Sequence, residues 1–180
     1  MTLNTTPPQP ATPLAEGADT ARLTADGYRG AFPDADGAAI EAHLNIVMAG
    51  VQLAQTVARH LAAYDSSFTV ARYSALRALY FAPDNRLPHS EIARRMGTTA
   101  GNISQLIDGL EKAGLAGRVA SPTSRRVVYV QLTAQGRAVC DELVPSMVRL
   151  MEATCAMFTA AEKAGLARLL RTFRSHLQSR

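Results

Sequence analysis

The side chains best suited to chemistry in this sequence are mostly uncharged, and they fall together: Thr98, Thr99, Asn102, Ser104 and Gln105. An Asn or Gln amide carries a donor and an acceptor on one plane, the pairing that matches the edge of adenine. Threonine hydroxyls and the free amides of a helix start, here at Thr98, Thr99 and Ala100, suit phosphate oxygens. A few residues on, Arg118, Arg125 and Arg126 add planar cations, which fit the concentrated negative potential of a narrow groove. These are residue types that bind rather than catalyse. The sequence holds no glycine-rich phosphate loop, HExxH or GxSxG motif, and no Cys/His cluster at metal-ligand spacing. Its four histidines, His43, His60, His89 and His176, share no regular spacing. Its two cysteines, Cys140 and Cys155, are too few for a disulfide framework or a four-ligand zinc site. No catalysis, cofactor or metal is expected.

Charge sharpens this reading. Residues 70–133 carry nine basic side chains against four acidic ones, whereas the rest of the chain carries ten basic against eleven acidic. All of the formal +4 excess therefore sits in the middle third, around the polar cluster. That distribution favours a polyanionic partner. The 180 residues, 47% of them apolar, suffice for one globular domain with an extension. No apolar run is long enough to span a membrane, and the first 17 residues have neither the basic segment nor the apolar run of a secretory signal. A cytoplasmic location is expected.

The elements that must position the cluster follow from periodicity. Residues 1–35 hold five of the nine prolines and read as a disordered or partly ordered arm, any ordered piece falling around residues 23–32. Ile40, Leu44, Val47, Val51, Ala54, Ala58 and Leu61 then recur at three- and four-residue steps, which predicts a long helix ending near Tyr64. A second helix is expected over 69–81, stopped by Pro83 and Asp84-Asn85. A third follows Pro88 and ends at Gly97. The fourth is capped by Thr98 or Thr99, lined by Ile103, Leu106, Ile107, Leu110 and Ala113, and closed by Gly114. On its wheel Gly101, Gln105, Asp108 and Lys112 point away from the apolar side, with Asn102 and Ser104 at the edges. Two helices joined by a tight glycine-containing turn form a helix-turn-helix.

The period then switches from 3.6 to 2. Residues 126–132 read as a strand and 115–120 as its partner, joined by a polar turn that ends in Arg125 and Arg126. Thr133 caps a long helix through Val139, Leu143, Met147, Leu150, Met151 and Phe158, which Pro145 is expected to kink or break. Thr159 and Glu162 form a capping box for a last helix that carries Leu166, Leu169, Leu170, Phe173 and Leu177.

In order and spacing, Ser90-Glu91-Ile92-Ala93, the run Asn102 to Leu115, Arg118, Ser124-Arg125-Arg126 and Val130-Gln131-Leu132-Thr133-Ala134-Gln135-Gly136 resemble the MarR family of winged helix-turn-helix regulators. The likeness covers about 65 residues and none of the first 35. It implies a mainly α fold with a small β-hairpin wing, the winged domain at 66–133 being flanked by dimerisation helices at 36–65 and 134–180. It also implies a homodimeric repressor on a pseudo-palindromic duplex, with Thr98, Thr99, Ala100, Asn102, Ser104 and Gln105 at the major groove. Arg126 then occupies the minor groove, and Arg125 or Arg118 a phosphate. Two positions depart from the family pattern. Ser124 stands where an aspartate usually orients the wing arginine, and Pro88 stands where a capping threonine is common.

The apolar stripes of the flanking helices exceed what one winged domain needs, which agrees with pairing of two chains. Family members often bind small aromatic compounds between the dimer helices and the winged domain; His43, His60, Tyr64, Arg72 and Tyr73 are the candidates here. Two alternatives are a winged-helix module that docks on protein, and an oxidant sensor using Cys140 or Cys155.

Overall fold

Caps and left-handed residues set the element boundaries in the computed structural model, which describes residues 20–120 and 127–179. Ser124, Arg125, Arg126 and residues 1–19 of the arm lie outside the described residues. The chain divides into two compact units, Met1–Thr56 and Val57–Arg180.

In the first unit, helix α1 spans Thr20–Ala31 and gives the arm an ordered part. Four of the arm's five prolines precede it and Pro33 follows it, so Thr20–Ala31 itself contains none. Within α1 Arg29 pairs with Asp26 at 2.6 Å, and the ring of Tyr28 stacks on that of Phe32, with centroids 6.5 Å apart. Asp36 then accepts a hydrogen bond from the Ala39 amide at 3.0 Å and opens helix α2, Gly37–Tyr64.

The second unit begins with the last two turns of α2. Thr69 caps helix α3, Val70–Tyr80, by accepting from the Arg72 amide. The chain turns through Asp84 and Asn85, both at positive φ. Asn85 fixes this turn: its amide donates to the Tyr80 carbonyl at 2.8 Å and accepts from Arg137 at 2.6 Å. Residues Arg86–Pro88 then form strand β1, which the sequence did not reveal. Three residues ending in proline show no alternation to read; pairing with β3 makes them a strand, and Pro88 is tolerated because β1 is an edge.

Helix α4, His89–Met96, ends at Gly97 with φ 62°. Thr99 caps helix α5, Ala100–Lys112, by accepting from the Asn102 amide. Strands β2, Ala116–Ala120, and β3, Val128–Leu132, follow. The sheet is antiparallel in the order β1-β3-β2, with Leu87 opposite Val130 and Arg118 opposite Val130 from the other side.

Helix α6, Ala134–Thr154, starts at a crowded corner. The Thr133 hydroxyl accepts from the Gly136 amide and donates to the Gly114 carbonyl at 2.6 Å. A Cβ on Gly136 would lie 1.8 Å from the Leu115 carbonyl oxygen, so only glycine fits. Pro145 does not break α6, which runs on to Thr154 and, contrary to expectation, stops before Phe158. It stops because Phe158 donates its amide to Cys155 in a turn, and Thr159 must be extended to cap helix α7, Ala160–Gln178. Thr159 and Glu162 complete the capping box there.

One core joins the end of α2, α3, α4, α5, the sheet and α6. Leu61, Leu76, Leu79, Ile92, Ile103, Ile107, Leu110, Val130, Leu143 and Met147 are its large, fully buried side chains. The flanking helices behave differently. Val47 and Val51 of α2 and Leu166, Leu169, Leu170 and Leu177 of α7, which belong to the apolar stripes read from the sequence, are exposed in the single chain. Among the described residues no helix is long and apolar enough to cross a membrane.

Candidate nucleic-acid interface

Helix α5 is held from behind by Ile103, Ile107 and Leu110, none of which reaches solvent. That anchoring turns Gly101, Asn102 and Gln105 outward, where all three are exposed. Asn102 is partly pre-set: one amide hydrogen goes to the Thr98 hydroxyl at 3.2 Å, leaving its carbonyl and second hydrogen for a base edge. Gln105 has no hydrogen bond among the described residues. Thr99 spends its hydroxyl on capping, and Ala100 is the first residue of the helix. Ser104, half-buried, meets His89 of α4 at 3.3 Å (Oγ to Nε2). The outward start of α5 is therefore short, polar and uncharged, and narrow enough for a groove about 12 Å wide.

The hairpin lies directly beside α5, and Arg118 joins the two. Its guanidinium pairs with Asp108 at 2.7 Å and with Glu111, while its backbone amide donates to Glu111 at 2.8 Å. A further bond reaches the Ser104 carbonyl at 3.4 Å. Arg118 thus lies along the recognition helix, and hydrogen bonding to Asp108 holds its proton still more firmly than usual. The sequence reading places it on phosphate; in the folded chain two carboxylates already occupy it. His89, Asp108 and Glu111 are the contributors that sequence reading missed. Asp108 and Glu111 stand ten and seven residues before Arg118, so the only available signal was opposite charge on consecutive elements.

On α4, Glu91 is pulled down to about 2 by hydrogen bonds from Arg94 and Arg95. Both arginines stay exposed.

The candidate effector residues are engaged elsewhere. His60 meets Ser146 of α6 at 2.8 Å, and Tyr64 donates to Glu142 at 2.9 Å. Arg72 donates to the Ser67 carbonyl and lies against Gly109 of α5. Tyr73 is buried in the core, and His43 is exposed on α2 in the first unit. Within the second unit these side chains brace helices rather than line one cavity. Burial pushes the Cys140 thiol up to about 11, which keeps it protonated and slow toward oxidants. Cys155, at the end of α6, is partly exposed.

Helix-turn-helix, three-stranded sheet and outward polar helix recur in proteins of known kind. Residues 66–127 match the model of the MarR family. The winged domain belongs to the MarR family. Over 99 residues the chain is 27% identical to the HTH-type transcriptional repressor YetL of Bacillus subtilis, covering 55% of this chain and 59% of YetL. The chain spans about half the length of the curated relatives it matches. Among solved structures it is similar to Sco3205, a MarR family transcriptional regulator of Streptomyces coelicolor in complex with DNA. That likeness has a TM-score of 0.65 and 25% identity over 76% of this chain and 89% of that one. It is also similar to BpsR of Bordetella bronchiseptica, whose DNA binding is regulated by 6-hydroxynicotinic acid, with a TM-score of 0.56 and 26% identity over 71% and 98% of the two chains. MarR-family relatives of this kind are transcriptional regulators, not enzymes.

Proposed function

We propose that the chain is a dimeric, sequence-specific repressor that binds duplex DNA in the cytoplasm. Helix α5 enters the major groove and an arginine at the hairpin end enters the minor groove. The observation that carries this reading is the outward start of α5, where Asn102 and Gln105 are exposed on a helix whose opposite face is sealed in the core. DNA in the Sco3205 complex and repression by YetL support it.

Dimerisation rests on the flanking helices. Val47, Val51, Met151, Leu169, Leu170 and Leu177 expose apolar surface that a single chain leaves uncovered, and a second copy covers it. Two recognition helices related by a twofold axis then meet half-sites ~34 Å apart on one face of the duplex. Arg126 takes the minor-groove position and Arg125 a phosphate. With Ser124 in place of an acid, the wing arginine loses an ionic brace.

A small aromatic effector, of the kind that regulates BpsR, shifts the spacing of the two recognition helices. Such a ligand acts only through unequal affinity for the two spacings. His60, Tyr64, Arg72 and Tyr73, with His43, remain the candidate contacts, and binding there has to displace the bonds they now make.

Selection of duplexes from a random pool tests the reading. The recovered sequences are expected to converge on a pseudo-palindrome with half-sites ~10 base pairs apart, centre to centre. A pool that does not converge contradicts it.

A further inference from the structure

A shallow cavity of about 390 Å³ lies between α3 and α4, and no residue of α5 or the hairpin lines it. Its walls are Ser74, Arg77 and Ala78 of α3, Phe81 just beyond that helix, and Arg95 and Met96 of α4. Phe81 is 66% exposed. Its ring touches Tyr80 edge-on, with centroids 5.1 Å apart, and otherwise faces water.

The cations here are under-used. The Arg77 guanidinium rests over the Tyr73 ring at 5.8 Å and makes no hydrogen bond or ion pair among the described residues. Arg95 gives only its Nε to Glu91, at 2.7 Å, so its terminal nitrogens have no partner among the described residues. No carboxylate lines the cavity. Aromatic residues, methionine and arginine are the types enriched in the cores of protein interfaces, and they make up four of the six lining residues.

We propose that this groove is a docking surface for an acidic segment of a protein partner, one with an apolar side chain between its carboxylates. The carboxylates pair with Arg77 and Arg95 in the two-pronged geometry that guanidinium favours. The apolar side chain lies against Phe81, Ala78 and Met96. A phosphodiester strand would satisfy the two arginines but leave Phe81 and Met96 in water; a peptide covers both. Because α5 and the hairpin take no part, the partner is held while the DNA-reading face is occupied. The inference goes beyond the proposed repressor role and stands or falls separately from it.

Two short synthetic peptides test it on the full chain, one with Asp and Glu flanking a central Phe, the other identical except for Ser at the centre. Binding is read by fluorescence anisotropy and by the Met96 methyl resonance. The Phe peptide is expected to saturate and shift Met96, and Phe81→Ser and Arg77→Ala are each expected to weaken it about tenfold. The same variants are expected to leave duplex affinity and sedimentation unchanged. Equal binding of both peptides, absence of saturation, or peptide binding unaffected by either variant overturns the proposal. So does a loss of duplex affinity in the variants, which would make the groove a flank of the DNA surface. A changed sedimentation rate would make it a contact between copies, with the same consequence.

Discussion

Asn102 and Gln105 would meet a base pair with different freedoms. Asn102 is already steered by its bond to Thr98, whereas Gln105 can present its amide either way round. We expect Gln105→Ala to relax preference at one base position, a loss of about 1–3 kcal/mol of discrimination. The measurement is affinity for four duplexes that differ at that position. Equal losses on all four would remove Gln105 from base reading. Arg118 poses a different question, because its charge is shared between Asp108 and Glu111. Arg118→Lys keeps the charge but cannot span both acids. It is expected to lower affinity for every duplex while leaving the slope of log affinity against log salt unchanged. A slope shallower by about one would instead put Arg118 on a phosphate. The polar face of α5 was legible in the sequence because helical periodicity sorts outward from inward residues. The role of Arg118 was not, since it depends on how closely a hairpin packs on the helix before it.

At the scale of elements, the corner between β3 and α6 depends on the absence of a side chain. Gly136→Ala forces a methyl into the Leu115 carbonyl and is expected to cost about 1–3 kcal/mol of stability, read as a lower urea midpoint. An unchanged midpoint would mean that the start of α6 can move aside. Helix α4 carries an electrostatic counterpart. Glu91 titrates near 2 in the folded chain, below the usual carboxylate range, because Arg94 and Arg95 hydrogen-bond its charged form. A lowered folded-state value stabilises above the unfolded value and is lost as pH falls. Glu91→Gln is therefore expected to lower the melting temperature at pH 7, by an amount that shrinks as the pH falls from about 4 toward 2. A difference of the same size at every pH over that range would contradict the ionic origin. Caps at Thr99, Thr133 and Thr159 made three of the helix starts readable. Strand β1 was hidden because three residues gain strand character only from their partner, and the end of α6 was hidden because residues 155–158 stay apolar while the backbone turns.

At the scale of the molecule, the concentration of positive charge in residues 70–133 and the exposed stripes of α2 and α7 belong to one account. On the proposed reading the charge meets a polyanion and the stripes meet a second copy. Leu169, 58% exposed, is uncovered in the single chain, so Leu169→Glu is expected to leave the winged domain folded while shifting sedimentation to the monomer. A variant that stays dimeric would place the dimer contact elsewhere. The winged core was legible because its caps, period changes and glycines are local. The fate of α7 was not, because a stripe of leucines reads alike whether it covers its own chain or another. Most direct for the central claim is fluorescence anisotropy of the whole protein against duplex from the region upstream of its own gene, beside a scrambled duplex, at several salt concentrations. Tight binding to the native duplex alone is expected, weakening steeply with salt as phosphate contacts are lost. No binding to either duplex at low salt would contradict it.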